Sequence, residues 1–325
     1  MKPLRYWTRI IQLFYHFRQK SVKLPYLPVR LWIELTSHCN LQCIMCPNKK
    51  LKKEDKGYMD FGLYQKIIDE ASSFAFDINL AHRGESLLYP DIIKAIRYAK
   101  KHFLYTRLHT NGSLLTPELG SSLIEAGLDR LSFSFDGYNK KSYEKIRIKG
   151  NFDKTVENII RFLEIKKSLK QKKPVTAIEV IDFNPKGAEK DAKAKTEFLN
   201  WFKDLPLDEL AMKELHNWAG EISKKKSSSI QTICTFPWNA LIIYWDGNVL
   251  PCTQDFFGCY ILGNVRQSSL KEIWNNEKMM ALRKKLAEKE VAGLELCSDC
   301  DRLRRKKIFG VPKEYLWKFI TKRMP

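Results

Sequence analysis

The sequence predicts an α/β fold built on a parallel sheet, and three observations predict it. Between residues 31 and 214, apolar β-like runs alternate with amphipathic helical stretches, six of the first and five of the second. Strands joined by helical crossovers pair in parallel. Turn residues follow several strand runs, as in Thr110-Asn111-Gly112 and Asp136-Gly137, where Asn, Asp and Gly suit the tight βα turn. Past residue 230 the pattern changes to a short hairpin followed by a helix, which marks a second, smaller unit.

In chain order, residues 4–20 come first. Leu4, Trp7, Ile10, Ile11, Phe14 and Phe17 recur at three- and four-residue steps, flanked by Arg5, Arg9, Arg18 and Lys20. That spacing predicts an amphipathic helix. Such a helix either caps the end of the sheet or lies on an anionic membrane surface. Pro25 and Pro28 end it. The strands are predicted over 31–35, 77–82, 105–110, 130–135, 175–181 and 209–214, and the helices over 61–73, 90–102, 117–126, 153–169 and 188–202. His216-Asn217-Trp218-Ala219-Gly220 reads either as a lining of the substrate side or as a domain-boundary turn. Residues 221–230 are polar and basic, a linker composition. In the second unit, Asp246-Gly247 lies between two apolar runs, a hairpin signal. Ser269-Leu270-Lys271-Glu272 is a capping box that opens a helix running to about Glu288.

A chain of 325 residues, 44% hydrophobic, can bury a large core and hold one big domain plus a smaller one. Its first thirty residues contain no clean apolar h-region, and no apolar run approaches a membrane span. The expectation is a reducing cytoplasm, in which eight cysteines are available for metal rather than for disulfides. The net charge of +20 is concentrated at the two ends. Residues 1–30 carry seven Lys or Arg and no acid, and residues 301–325 carry nine against Asp301 and Glu314. Charge alone allows nucleic acid, membrane or an acidic substrate as partner.

Three cysteines, Cys39, Cys43 and Cys46, sit within eight residues directly after the first strand. A structural zinc site closes with four protein ligands, and most cubane clusters take four cysteines. A three-cysteine set leaves a metal position open to something that reacts. The C-x3-C-x2-C spacing resembles the cluster signature of the radical S-adenosylmethionine (radical SAM) enzymes. That resemblance implies a partial (β/α)6 barrel, with which the strand count agrees. It also implies a 4Fe–4S cluster whose open iron chelates SAM, and reductive cleavage of SAM to a 5′-deoxyadenosyl radical. A flavodoxin- or ferredoxin-type electron donor would supply the electron.

The resemblance extends to three further strand ends. Gly84-Glu85-Ser86 is similar to the segment that holds SAM's amino group, though Arg83 replaces the first glycine. Thr110-Asn111-Gly112 is similar to the turn near the ribose. Ser134 and Asp136, with Arg147, resemble the arrangement whose serine and arginine reach SAM's carboxylate, a group that an arginine fork suits. Met45 departs from the aromatic side chain that often packs near adenine.

Cys234, Cys252, Cys297 and Cys300 bracket the hairpin and the helix. Their geometry would also accept zinc. Behind a radical SAM barrel, the C-x17-C-x44-C-x2-C pattern resembles a twitch domain, a short relative of the SPASM domain, which implies one auxiliary 4Fe–4S cluster. Cys259 fits neither set and is expected to be either a buried thiol or one lying just outside the second set's ligands. The implied organisation is a basic aromatic segment over 1–30, a barrel over 31–220, an auxiliary-cluster domain over 231–310 and a basic aromatic tail over 311–325. The implied function is a radical SAM oxidoreductase that abstracts hydrogen from an unactivated carbon and passes an electron to the auxiliary cluster. A peptide or protein maturase is the alternative within the class. Outside it, the alternative is a basic, zinc-containing nucleic-acid-binding protein. The bulky apolar residues at both ends, among them Tyr315, Leu316, Trp317, Phe319 and Ile320, favour an anionic membrane surface over nucleic acid, and with it a lipid-linked substrate.

Overall fold

A computed structural model describes residues 4–183, 192–223, 230, 232–304, 307–308 and 311–312. The chain opens with helix α1 (Leu4–Arg18) and strand β1 (Arg30–Ile33). It continues through α2 (Phe61–Ala71), β2 (Asp77–Asn79), α3 (Ile92–Lys101), β3 (Tyr105–Thr110), α4 (Pro117–Glu125) and β4 (Arg130–Ser134). Next come α5 (Lys140–Ile146), α6 (Phe152–Ser168), β5 (Val175–Asp182), α7 (Ala192–Asn200) and β6 (Glu209–Glu214). A second group follows: α8 (Phe236–Asn239), β7 (Ala240–Ile243), β8 (Asn248–Leu250), β9 (Gly263–Asn264), α9 (Leu270–Trp274), α10 (Glu277–Glu288) and α11 (Glu295–Ser298). A small antiparallel pair, β10 (Lys307–Ile308) and β11 (Val311–Pro312), ends the described chain.

The sheet order is β6-β5-β4-β3-β2-β1-β7-β8-β9, and β1 through β6 pair in parallel. The sheet is open, with β6 and β9 at its edges, as a partial barrel requires. The hairpin does not form a sheet of its own. Its first strand, β7, adds in parallel to β1 with Leu31 opposite Leu241, and the sheet then turns antiparallel into β8 and β9. One continuous hydrogen-bonded layer therefore carries both cysteine sets.

Local sequence explains the boundaries. Asp60, Thr116 and Asn151 each accept a backbone N–H three residues on, capping α2, α4 and α6. All four residues of β7 are buried, as expected of a strand covered on both faces. The expected helix over 270–288 is instead two helices. Asn276 caps the second by accepting from Met279 N at 2.9 Å. Asn275 is used elsewhere, accepting from Leu24 N at 3.1 Å and from Arg283 at 2.9 Å. Helix α5 was not foreseen; Asn139 and Ser142 open it with a capping box. Of the predicted helix over 188–202, residues 188–191 lie outside the described residues, as does most of the 221–230 linker.

The segment after α1 is a packed component of the smaller unit. Leu24 and Tyr26 are buried, and Trp274 Nε1 donates to the Tyr26 carbonyl at 2.6 Å. Helix α1 covers this segment with only part of its predicted stripe. Phe17 meets Trp238 edge-on at 5.6 Å and Leu13 packs on the core, whereas Trp7, Ile11, Phe14 and Tyr15 stay more than half exposed. Among the described residues, no helix is long and apolar enough to cross a membrane.

Candidate functional site

Strand β1 leads straight into the first cysteine loop. Residues 42–44 run beside 146–148, with Gln42 N donating to Ile148 O at 3.0 Å and Ile44 N to Ile146 O at 2.9 Å. This pairing sets Arg147 against Cys43, with Nη1 3.7 Å from the sulfur. The three thiols form a small apolar nest with Leu41, Met45, Ile146, Ile181 and Phe183, apart from the main core. Burial above all, with charge on Glu85 and the neighbouring cysteines added, pushes the Cys39 thiol up to about 12, and burial with Cys43 pushes the Cys46 thiol up to about 11. Three thiols in so dry a setting become thiolates when a metal neutralises them.

The strand ends expected to serve SAM do surround this loop. The Glu85 carboxylate ties two of them together, accepting from Thr110 Oγ1 at 2.7 Å, Asn111 N at 2.7 Å and Leu87 N at 3.1 Å. Asn111 Nδ2 donates to Asn40 Oδ1 at 2.9 Å, which fastens the turn after β3 to the cysteine loop itself. Ser86 Oγ donates to Leu80 O at 2.7 Å and closes its own turn. A Cβ on Gly84 would stand 2.3 Å from Thr36 O and 2.6 Å from His38 O, so the glycine admits the backbone leading into Cys39. Ser134 ends β4 and is half-buried.

Asp136 and Arg147 come together. Arg147 Nη2 donates to Asp136 Oδ2 at 2.6 Å, and Ile181 N donates to the other oxygen at 2.7 Å. Arg147 Nε is buried without a hydrogen-bond partner. An orphaned guanidinium donor beside three thiols suits an anionic group, so the residues present fit a SAM-bound cluster.

The second set is drier. Cys252, Cys297 and Cys300 are buried and Cys234 is half-buried. Burial first, and then the charge of neighbouring cysteines, raises Cys252 and Cys297 well above the usual thiol range and pushes Cys300 up to about 12. Four thiols gathered in one dry place, which would repel one another as thiolates, fit a cationic iron–sulfur core with full cysteine ligation. Among the described residues, no three His, Cys, Asp or Glu side chains close on a single metal ion. Cys259 lies near the second set but is not buried. It is exposed, because its backbone N–H is drawn to Asp255 Oδ1 at 2.7 Å in a surface turn.

A bond network joins the two sets through Arg83, Asn217 and Trp218, and through Glu34 and His82, to which sequence reasoning assigned no role. Arg83 donates to Glu34 through Nε at 2.6 Å and Nη2 at 2.7 Å, and stacks on Tyr244 at 3.5 Å. Burial alone would lift the Glu34 carboxyl, but Arg83 and His82 hold it down near 2. His82 Nε2 faces Thr253 O at 3.2 Å, and Arg83 Nη1 reaches Phe256 O at 3.4 Å. From the other side, Trp218 Nε1 donates to Met45 O at 3.0 Å while its ring meets Phe256 edge-on at 5.1 Å. Asn217 holds that loop to the second set, donating to Asp299 O at 2.7 Å and accepting from Asp301 N at 3.1 Å. One signal was available in the sequence: Glu34, a carboxylate inside an apolar strand run, requires a buried cation partner.

Comparison with known proteins agrees with this geometry. The radical SAM superfamily matches residues 33–171, and the SPASM iron–sulfur cluster-binding domain matches 234–301. The chain is 25% identical to the S-adenosyl-L-methionine-dependent 2-deoxy-scyllo-inosamine dehydrogenase of Niallia circulans, over 83% of this chain and 92% of that protein. It is 27% identical to the tungsten-containing aldehyde ferredoxin oxidoreductase cofactor-modifying protein of Pyrococcus furiosus, over 76% of this chain and 81% of that one. Its fold resembles the crystal structure of BtrN with AdoMet and 2-DOIA, with a TM-score of 0.58 at 22% identity, covering 85% of this chain and 93% of that chain. These matches replace the zinc-containing nucleic-acid-binding alternative. The chain belongs to the radical SAM enzymes and carries a C-terminal SPASM-type iron–sulfur domain.

Proposed function

We propose that this protein is a radical SAM oxidoreductase with two clusters, which removes hydrogen from an unactivated carbon of its substrate to give a dehydrogenated or newly bonded product. The observation that carries this reading is the second, largely buried set of four thiols, wired to the first cysteine loop through Trp218 and Arg83. When bound, SAM and the clusters supply the one-electron chemistry: reductive cleavage of the sulfonium, hydrogen abstraction by the 5′-deoxyadenosyl radical, and acceptance of the electron released.

The chain's own residues bind, orient and exclude water. Cys39, Cys43 and Cys46 hold the SAM cluster, and Cys234, Cys252, Cys297 and Cys300 hold one auxiliary cluster. Arg147, kept charged by Asp136, would offer its unpartnered Nε to the anionic end of SAM. The Gly84-Glu85-Ser86 and Thr110-Asn111 segments, with Ser134, complete the SAM pocket. Glu85 keeps acceptor capacity beyond its three protein donors, since each carboxylate oxygen accepts more than one hydrogen bond. A relative of similar length that is named as a SAM-dependent dehydrogenase supports an oxidation over a peptide maturation. A flavodoxin- or ferredoxin-type donor supplies the reducing electron, and the protein works in the cytoplasm, docked on the anionic inner face of the membrane. The test is SAM cleavage under dithionite. Wild-type protein cleaves SAM, Cys39→Ala abolishes cleavage, and Cys297→Ala with Cys300→Ala leaves cleavage uncoupled from product. Equal loss of cleavage in both variants overturns the division of labour.

A further inference from the structure

A cavity of about 210 Å³ opens beside the second cysteine set, well above the roughly 15 Å³ that one water needs. The turn after β6 forms one wall, the segment 254–259 a second, and the α11 turn the third. Gly220, at a φ of +106°, brings the first wall against the third, since a Cβ there would stand 2.9 Å from Asp299. The ring walls are Trp218, Phe256 and Phe257.

The polar lining is one-sided. Glu221, Asp255, Glu295 and Asp299 line the cavity, and no Lys or Arg does among the described residues, although the chain carries a net charge of +20. Two of these acids are already engaged. Asp255 accepts from Cys259 N and Tyr260 N at 2.7 and 2.9 Å, and Glu221 pairs with Lys50 at 3.3 Å. Glu295 and Asp299 have no such carboxylate partner among the described residues. The independent observation is Gln254. It lines the cavity at 2% exposure, and its Oε1 has no hydrogen-bond partner. A buried acceptor left unmade is costly, and a ligand that donates to it removes the cost.

Acceptors without donors, set among aromatic faces, suit an organic cation that donates hydrogen bonds. A bare metal ion fits less well, because Asp255 is already engaged by the Cys259 and Tyr260 N–H groups and Glu221 by Lys50. We infer that this cavity binds a small molecule bearing a protonated amine, with Gln254 Oε1 accepting from it and Glu295 and Asp299 supplying the counter-charge. Its identity as the substrate's amine rests on the oxidoreductase reading above; the binding itself does not.

The experiment is calorimetric titration of anaerobically reconstituted full-length protein, without reductant. The probes are trans-4-aminocyclohexanol and its neutral counterpart trans-cyclohexane-1,4-diol. The amine should bind about tenfold more tightly than the diol, as a charge-assisted contact to a desolvated acceptor requires. Glu295→Gln and Gln254→Leu should each weaken the amine several-fold and leave the diol unchanged. Equal binding of amine and diol, no heat from either, or an unchanged amine affinity in Glu295→Gln overturns the inference. Glu295 is exposed, so that variant decides the question should Gln254→Leu fail to fold. Amine binding by a protein that does not cleave SAM sinks the oxidoreductase reading and leaves the site standing. Cleavage without amine binding does the reverse.

Discussion

Glu34 and Arg83 carry opposite charges where the core is driest, at 0% and 6% exposure. Removing one partner strands the other, which costs about 3–5 kcal/mol, whereas exchanging both for apolar residues of similar size costs far less. Glu34→Gln and Arg83→Met should each lower the unfolding free energy by about that amount, and the double variant by less than their sum. Chemical unfolding of all four proteins checks this, and simple additivity would separate the pair. Its pH dependence has a defined sign. The Glu34 carboxyl moves from 4.5 to about 2 on folding, so its stabilisation is complete above pH 4.5 and is lost as the pH falls toward 2. Arg147 is a different case, because its Nε is buried without a partner and is proposed to serve SAM. Arg147→Ala should weaken SAM binding tenfold or more, on the order of a lost charge-assisted contact, while iron content holds. A matching fall in iron and in thermal stability would make it a structural residue.

At the scale of elements, period and turn chemistry made most of the barrel legible. The predicted limits of β3 and β6 match the structure, and the other four strands differ by one to three residues at an end. What could not be read was the use to which ambiguous residues are put. Asn275 and Asn276 are helix-compatible in sequence, but one bridges to Leu24 and the other caps α10, so the helix divides there. The hairpin was legible from Asp246-Gly247, yet its parallel union with β1 was not, because edge pairing leaves no local pattern. Helix α1 was predicted with a single apolar stripe, and tertiary packing uses only its Leu13–Phe17 side. Trp7, Ile11 and Phe14 remain outside as a second apolar strip, which supports the membrane-docking proposal. The matching aromatic residues at 315–320 lie outside the described residues. Full-length protein should co-sediment with anionic vesicles at low salt and not with neutral ones, and Trp7→Ser with Phe14→Ser should reduce binding several-fold. Protein that stays in the supernatant with anionic vesicles refutes the proposal.

For the whole molecule, the sequence grouped the first cysteine set by its spacing and the second by its resemblance to a twitch domain, because cysteines at such intervals leave a local pattern that packing does not. The bond network between them was not legible, since Glu34–Arg83, His82–Thr253 and Trp218–Met45 each link residues 49 or more positions apart and depend on long-range packing, including the pairing of β7 with β1. That network ties the two sets together, and a protein with both sets filled by the proposed clusters has a fixed iron stoichiometry. Iron and acid-labile sulfide analysis of anaerobically purified protein tests it most directly. Two cubanes predict about eight iron and eight sulfide per chain, falling to about four of each when Cys297 and Cys300 are both replaced by alanine. About four iron in the wild-type protein, with zinc at about one equivalent that the Cys297/Cys300 variant loses, would contradict it.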